Sequence, residues 1–297
     1  MQPLHIRTPL LKSEPLSLIT GKNIQLKLEA LQPPGSFKIR GIGLACQTYQ
    51  QQGVHRFISS SGGNAGIAVA YAGRKLSVPV IVVVPETTTE RAKTFIRQEN
   101  AEVIVHGASW QEANEYALSL LGENDAFLHP FDDPLLWRGH STIIDEIIEA
   151  KQKPDAIVLA VGGGGLLSGI VEGLYRNGWQ DVPVIAVETE GAASLAQSIA
   201  VGNRITLPAI TSIATSLGAR QVCQQAFEYS TQHSIHSVVV TDADAVAACE
   251  RFIMDHRIVV EPACGAALAS VYQNKEILDP YASVLVIVCG GITAAPE

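Results

Sequence analysis

The fold class is decided by one segment of the sequence, AIVLAVGGGGLLSGIVEGLYR, which covers residues 156–176. Residues 156–161 are all apolar and predict a strand that is buried on both of its faces. Four consecutive glycines then predict a turn, and residues 166–176 are predicted to be helical. A buried strand that runs through a glycine turn into a helix is typical of a parallel α/β sheet.

The same order of strand, turn and helix recurs on both sides of this segment. Before it we expect strands at residues 55–59 and 78–84, and after it strands at residues 182–187 and 283–288. Such alternation predicts parallel sheets that are joined by right-handed crossover connections. The sequence therefore predicts two consecutive α/β blocks.

Composition and charge exclude several classes of protein. The 297 residues carry a net charge of −8 and contain no basic run, so nucleic acid is not expected as a partner. No apolar stretch reaches the roughly 18 residues that a membrane-spanning helix requires, so no membrane span is expected. The five cysteines are an odd number without paired spacing. This argues against a disulfide framework and indicates a reducing compartment.

Residues 33–41, PPGSFKIRG, put a lysine at the beginning of a predicted helix. The two prolines and the glycine prevent a regular helix before Ser36, and we expect the Ser36 side chain to cap the helix that follows. Lys38 would then lie in the first turn, directly behind the aromatic ring of Phe37. A lysine beside an aromatic ring is usually a surface residue whose aliphatic stem covers its neighbour, so this pattern alone does not give Lys38 a function.

The glycines at residues 162–165 form the first of two loops that could bind an anion. Residues without a Cβ can turn their amides inward, and the following helix adds its positive end, so a dianion fits there. A turn selected only for close packing explains the same glycines. A Walker A loop is excluded because no Gly-Lys-Ser/Thr follows, and the dinucleotide fingerprint lacks its third glycine.

The second loop, SSSGGNAG at residues 59–66, also joins a predicted strand to a predicted helix. Its hydroxyl and amide groups suit a carboxylate of one negative charge rather than a phosphate. A helix cap followed by a turn without a ligand is the alternative. A third motif, Cys289-Gly-Gly, ends the last predicted strand at the edge where α/β proteins bind ligands. Most buried cysteines, however, are inert packing residues.

Together, residues 33–41, 59–66, 162–165 and 289–291 resemble the pyridoxal-phosphate (PLP) enzymes of the tryptophan synthase β type. The resemblance is closest to the L-serine/L-threonine dehydratases and runs over essentially the whole chain. It implies the type II fold of PLP enzymes, with two open, twisted, mostly parallel sheets flanked by helices.

The resemblance also implies how the chain is divided and assembled. Residues 1–38 and 137–297 would form a large PLP-binding domain, and residues 39–136 a small domain that carries the substrate carboxylate loop. PLP would lie in the cleft between the two domains. The protein would be a cytoplasmic homodimer that acts on a small amino acid.

Functional residues follow from the same resemblance. Lys38 would form the Schiff base with PLP and act as the catalytic base. The cofactor would be contacted by Phe37, Lys38, Asn64, Gly162, Gly163, Gly164, Gly165, Leu166, Ser216 and Cys289. The substrate carboxylate would be bound by Ser61, Gly62, Asn64 and Ala65. A monovalent cation, usually potassium, would be held by Glu188 and the main-chain carbonyls of Gly162, Ala192, Leu217 and Ala219.

Two positions narrow the reaction that the resemblance implies. A neutral thiol at Cys289, next to the pyridine nitrogen, disfavours a long-lived carbanion and favours prompt loss of a β-substituent. Gly62 stands where related serine racemases have a serine that acts as acid and base, so racemisation is not expected as the main activity. We expect β-elimination of L-serine, and of L-threonine, to pyruvate or 2-oxobutanoate and ammonia. The alternatives are β-replacement as in cysteine synthases, racemisation, and a binding protein that has lost the chemistry.

Overall fold

The computed structural model describes residues 2–291, in which strands and helices alternate along most of the chain. The strands of these residues are β1 (Leu10–Lys12), β2 (Asn23–Lys27), β3 (Arg56–Ser59), β4 (Val80–Val84), β5 (Glu102–Val105), β6 (Asp125–Phe127), β7 (Ala156–Ala160), β8 (Val184–Thr189), β9 (Ile235–Val240) and β10 (Ser283–Ile287). Their α-helices are α1 (Glu14–Thr20), α2 (Lys38–Gln51), α3 (Asn64–Leu76), α4 (Glu90–Gln98), α5 (Trp110–Ser119), α6 (Pro134–Glu149), α7 (Gly165–Arg176), α8 (Ser194–Val201), α9 (Gln224–Gln232), α10 (Asp242–His256) and α11 (Pro262–Tyr272). Among residues 2–291, no helix combines the length and the apolar composition that a bilayer span requires.

The larger sheet has six strands among the described residues, in the order β1-β2-β10-β7-β8-β9. Strand β1 runs antiparallel to β2, and the other neighbouring strands are parallel. The register puts Ile157 of β7 beside Leu285 on one side and Val184 on the other. Strands β7 and β8 are buried along their whole length, because helices cover a parallel sheet on both faces.

The smaller sheet has four parallel strands, β5-β4-β3-β6, all of which lie within residues 56–127. Its strand β4, VIVVV, is completely buried. The two sheets confirm the predicted α/β class with two mostly parallel sheets flanked by helices. The predicted domain boundaries fall at the first residue of α2 and inside α6. The division into residues 1–38 plus 137–297 and residues 39–136 stays a prediction.

Helix α2 packs against α6 at a point where glycines bring the two backbones together. A Cβ at Gly41 would lie 2.5 Å from the main-chain oxygen of Leu136 in α6. A Cβ at Gly139 would lie 2.3 Å from the main-chain oxygen of Arg40 in α2. Helix α6 packs in turn on α7, where a Cβ at Gly169 would lie 2.5 Å from the Cβ of His140. These contacts fix the beginning of α2 relative to the glycine loop that precedes α7.

Helices α1 and α9 are absent from the sequence-based prediction, because both are short. Ser13 caps α1 by accepting a hydrogen bond from the amide of Leu16 at 3.2 Å, and Gly21 ends that helix with φ 68°. In α9, with the sequence QQAFEYSTQ, Ala226 is the buried residue. Neither segment has the apolar periodicity that predicts a helix.

Candidate active site

Main-chain hydrogen bonds join the segment before Lys38 to the end of β10. The amide of Phe37 donates to the carbonyl oxygen of Cys289 at 3.1 Å, and the amide of Gly291 donates to that of Gly35 at 2.9 Å. The two segments are far apart in sequence but adjacent in the fold. They bring Lys38 next to Cys289, as the resemblance requires.

The expectation that Ser36 caps α2 is wrong. Ser36 instead pairs with Gly290 in an isolated antiparallel bridge, and its buried hydroxyl has no hydrogen-bond partner among residues 2–291. Phe37 occupies the N-cap position, and Lys38 is the first residue of the helix. Lys38 therefore lies in the first turn, as predicted, but the turn is held by main-chain pairing rather than by a side-chain cap.

The Lys38 side chain turns inward rather than out over a neighbour. Its Nζ donates a hydrogen bond to the carbonyl oxygen of Pro130 at 2.5 Å and lies 5.3 Å from the centroid of the Phe37 ring. Burial lowers the pKa of Lys38 to about 8, while the negative charge of Glu261 opposes this shift. A lowered pKa gives a larger fraction of uncharged, nucleophilic amine near neutral pH.

Asn64 is the first residue of α3, at the edge of the smaller sheet. Its side-chain Nδ2 donates to the Oγ of Ser216 at 3.3 Å and to Oε1 of Glu261 at 2.7 Å. Both acceptors belong to segments that pack on the larger sheet. These hydrogen bonds bring two predicted site residues, Asn64 and Ser216, together across the space between the sheets.

The loop before α3 contributes the other three predicted substrate contacts. Ser61 Oγ accepts a hydrogen bond from the amide of Gly63 at 3.3 Å, and Ala65 is buried in the second position of the helix. A Cβ at Gly62 would lie 2.8 Å from two side-chain atoms of Thr88. The positive end of α3 suits a carboxylate, and any side chain at Gly62 would require Thr88 to move.

The glycine loop between β7 and α7 is closely packed. A Cβ at Gly163 would lie 2.2 Å from the ring of Phe131, and one at Gly162 would lie 2.9 Å from the Cα of Leu217. Packing alone therefore calls for glycine at these two positions. The same contacts put the loop next to the 3-10 turn at Thr215–Leu217, which contains the predicted site residue Ser216.

Helix α7 begins inside this loop. Gly164 is its N-cap residue with φ 87°, a conformation that favours glycine, and Gly165 and Leu166 are its first two residues. Among residues 2–291, no side chain caps this end of the helix. The first amides of a helix have no intrahelical acceptor, so they remain available to an anion.

Cys289 is buried at the end of β10 beside Cys264 of α11. The hydrogen bond with Cys264, together with burial, raises the pKa of Cys289 well above its usual range. The Cys289 thiol is therefore neutral at physiological pH. All five cysteines of the chain are buried and free.

Glu188 is buried in β8, close to the start of α8. Its carboxylate oxygens accept hydrogen bonds from the amides of Leu195 at 2.8 Å and Ala196 at 2.7 Å. Burial raises the pKa of Glu188 to about 7, although both hydrogen bonds act against this shift. Within residues 2–291, no basic side chain contributes to that shift. A bound cation could therefore balance the negative charge of this carboxylate.

Glu261 is a site residue that the sequence-based reasoning missed. It is 3% exposed, precedes α11, and contacts the side chain of Asn64. A signal was present, since Glu261 is a single charged residue between apolar residues 258–260 and the apolar helix PACGAALASVY. An acid before Pro at a helix start is, however, usually assigned as a cap.

The residues that meet here fit PLP. Its aldehyde needs an amine that can lose its charge, which Lys38 supplies. Its phosphate needs N–H donors at a helix start, which the loop before α7 supplies. Its pyridine nitrogen can accept a hydrogen bond from a neutral thiol, which Cys289 supplies.

Comparison with known proteins agrees with this geometry. A family model described as pyridoxal-phosphate dependent enzyme matches residues 1–290. A Bos taurus protein named L-serine dehydratase/L-threonine deaminase is 49% identical over 301 aligned positions, which cover 98% of this chain and 92% of the bovine protein.

Two solved structures are also similar. A fungal L-serine ammonia-lyase from Rhizomucor miehei has a TM-score of 0.94 and 38% identity, covering 99% of this chain and 96% of that one. Maize serine racemase has a TM-score of 0.90 and 26% identity, covering 97% of this chain and 89% of that one. The expected cofactor and fold type are confirmed, and the chain belongs to the family of pyridoxal-phosphate-dependent enzymes.

Proposed function

We propose that this protein catalyses β-elimination of L-serine, and also of L-threonine, to pyruvate or 2-oxobutanoate and ammonia. The names of the bovine and Rhizomucor miehei relatives support this assignment. The observation that carries it is the inward-turned amine of Lys38, with its pKa lowered to about 8, beside the neutral thiol of Cys289. Elimination needs a base, which Lys38 would provide. It is also favoured by a neutral thiol, Cys289, that leaves the cofactor nitrogen unprotonated.

PLP, when bound, supplies an aldehyde that condenses with amines and a ring that withdraws electrons from the substrate Cα. Lys38 Nζ would hold it covalently, and Phe37 and Ser216 would lie against the two faces of its ring. The amides at Gly162, Gly163, Gly164, Gly165 and Leu166 would bind its phosphate. Asn64 would donate to its 3′-oxygen, and Cys289 would donate to its pyridine nitrogen.

Proton transfer in the proposed reaction belongs to Lys38. Once the substrate amine has displaced it, Lys38 Nζ takes the proton from the substrate Cα. The Cβ–O bond would then break, and the hydroxyl would leave as water with a proton from the phosphate group that the glycine loop holds. Addition of water to the released product gives ammonia and pyruvate, so the net reaction neither gains nor loses water.

The substrate carboxylate would be held by the loop before α3, at Ser61, Gly62, Asn64 and Ala65. Gly62 offers no side-chain acid on the face that would lie opposite Lys38, and a Cβ there would lie 2.8 Å from the side chain of Thr88. Elimination needs one base, whereas racemisation needs a second proton donor on that face. This contact supports elimination over racemisation.

Pyruvate formation from L-serine in the absence of sulfide tests the proposed function. We expect pyruvate and ammonia in equal amounts, measured together with D-serine by chiral chromatography. Dominant formation of D-serine, or turnover that requires sulfide, would replace this proposal with racemisation or β-replacement. The ratio of rates on L-serine and L-threonine gives the substrate preference.

A potassium ion is proposed next to the phosphate loop, bound by Glu188 and the carbonyl oxygens of Gly162, Ala192, Leu217 and Ala219. The support is a buried carboxylate that accepts hydrogen bonds from two main-chain amides, and the packing of Gly162 against Leu217. We expect KCl to raise the Tm by about 3 °C over choline chloride at equal ionic strength, as ~1 kcal/mol of binding free energy would.

Glu188→Gln should remove this difference, because the amide provides less charge for the cation. Glu190→Gln is the matched control, since Glu190 is exposed two residues further along the chain. It should retain the potassium effect. Equal Tm values of the wild-type protein in the two salts would rule out the cation site.

We further propose a homodimer that works in the cytoplasm. The five free cysteines support a reducing compartment, and two-fold dimers are the commonest oligomers. Light scattering coupled to size-exclusion chromatography distinguishes a dimer from a monomer of 31.6 kDa.

A further inference from the structure

Glu261 lies in the middle of the proposed cofactor site without a part in the reaction described above. It precedes α11, and a Cβ at Gly291 would lie 1.9 Å from the Cδ of its carboxylate group. Gly291 has φ 114°, which favours glycine. The turn after Cys289 therefore closes over Glu261 and leaves it 3% exposed.

The contact between Glu261 and Asn64 fixes the orientation of an amide. An ionised carboxylate only accepts hydrogen bonds, so the 2.7 Å contact requires the NH₂ group of Asn64 to face Glu261. That group has two N–H bonds, and Glu261 takes one of them. The second N–H donates to the Oγ of Ser216 at 3.3 Å, a longer contact in which a stronger acceptor could replace the Ser216 hydroxyl.

We propose that Glu261 is a positioning residue of the PLP site, whose carboxylate orients the Asn64 amide so that its second N–H can donate to the 3′-oxygen of PLP. This inference depends on the proposed contact of Asn64 with that oxygen. A flipped amide would present its own oxygen to the 3′-oxygen, and two acceptors cannot share a hydrogen bond. The negative charge of Glu261 also opposes the effect of burial on the pKa of Lys38.

Glu261→Gln tests the orientation, because glutamine has the same shape but can either donate or accept. We expect the Kd for PLP to rise about tenfold to hundredfold, as for the loss of a hydrogen bond to a charged group. Bound PLP is measured by equilibrium dialysis of the holoenzyme against a series of PLP concentrations. Glu276→Gln, which removes an exposed charge elsewhere, is the control and should leave this Kd unchanged within twofold.

The double variant Asn64→Asp/Glu261→Gln separates positioning from a merely structural hydrogen bond. It keeps one donor, one acceptor and the net charge of the pair but exchanges their roles. We expect the Tm of the dialysed protein to return to within a few degrees of the wild-type value. PLP affinity should stay at least tenfold weak, because the aspartate offers only acceptors to the 3′-oxygen.

Two results would decide against this role. Recovery of both Tm and PLP affinity in the double variant would reduce Glu261 to a structural contact, and so would a wild-type Kd in Glu261→Gln. If Glu261→Gln alone fails to fold, the double variant still gives both measurements. A wild-type protein that does not bind PLP at all would instead overturn the proposed function, so the two failures are distinguishable.

Discussion

Lys38→Ala is expected to abolish pyruvate formation from L-serine, lowering kcat by about 10³-fold or more. Two roles are lost together, since the same Nζ holds the cofactor covalently and takes the Cα proton. The visible absorption of the holoenzyme should disappear with the covalent bond. The measurements are continuous detection of pyruvate and an absorption spectrum of the purified protein.

The Lys38→Ala chain itself should fold, because the amine makes one hydrogen bond within residues 2–291, to the carbonyl oxygen of Pro130. Its loss costs about 1–2 kcal/mol, and far-UV circular dichroism should match that of the wild type. Lys12→Ala is the control, since Lys12 is an exposed residue of β1. A Lys38→Ala protein that keeps the visible band and most of its activity would assign the catalytic amine to another residue.

Arg40→Met is expected to lower the free energy of unfolding by about 3–5 kcal/mol. Arg40 is completely buried, and its Nε and Nη2 donate to the two carboxylate oxygens of Glu29 at 2.7 Å each. Its Nη1 donates to Glu146 at 2.7 Å and to Thr142 at 3.0 Å. Methionine fills a similar volume but removes the positive charge that Glu29 and Glu146 share, while Glu146 keeps its ion pair with Lys27.

Guanidinium unfolding of the PLP-free protein measures this effect without a contribution from cofactor binding. Arg7→Met is the matched control, because Arg7 pairs with Glu149 where both side chains are more than half exposed. We expect it to cost about 1 kcal/mol or less. Equal losses in the two variants would mean that the buried ion pairs contribute no more than a surface pair.

Stability and chemistry are connected at this point of the fold. Arg40 follows Lys38 by two residues in α2, so the buried cluster fixes the same helical turn that presents the amine. The Arg40→Met protein should therefore also bind PLP more weakly than its stability alone requires.

The sequence predicts the sheets well because the information is local. In β7 and β4 every residue is buried, and continuous apolar runs identify such strands. Helix α6 also has a local signal at its start: Pro134 lies in its first turn, and Asp133 accepts a hydrogen bond from the amide of Leu135 at 2.7 Å. Helix α9 has no such signal, because its stability comes from packing against α7 and α8 rather than from its own sequence pattern.

The candidate site likewise contains some residues that a local sequence pattern predicts and others that it does not. Lys38 and the glycine loop have local patterns that point to an amine at a helix start and to an anion at a helix start. The cap assigned to Ser36 fails, because pairing with Gly290 decides the backbone there. Glu261 meets Asn64 across 197 positions of sequence, and no local pattern encodes such a contact.

The pairing of residues 35–37 with residues 289–291 also sets an order of events during synthesis of the chain. Strand β2 leaves the ribosome long before its parallel neighbour β10 is synthesised. A nascent polypeptide that has not reached residue 291 therefore cannot complete the vitamin B6 pocket. A premature stop codon shortly before β10 should yield an inactive product that no supply of the vitamin can rescue.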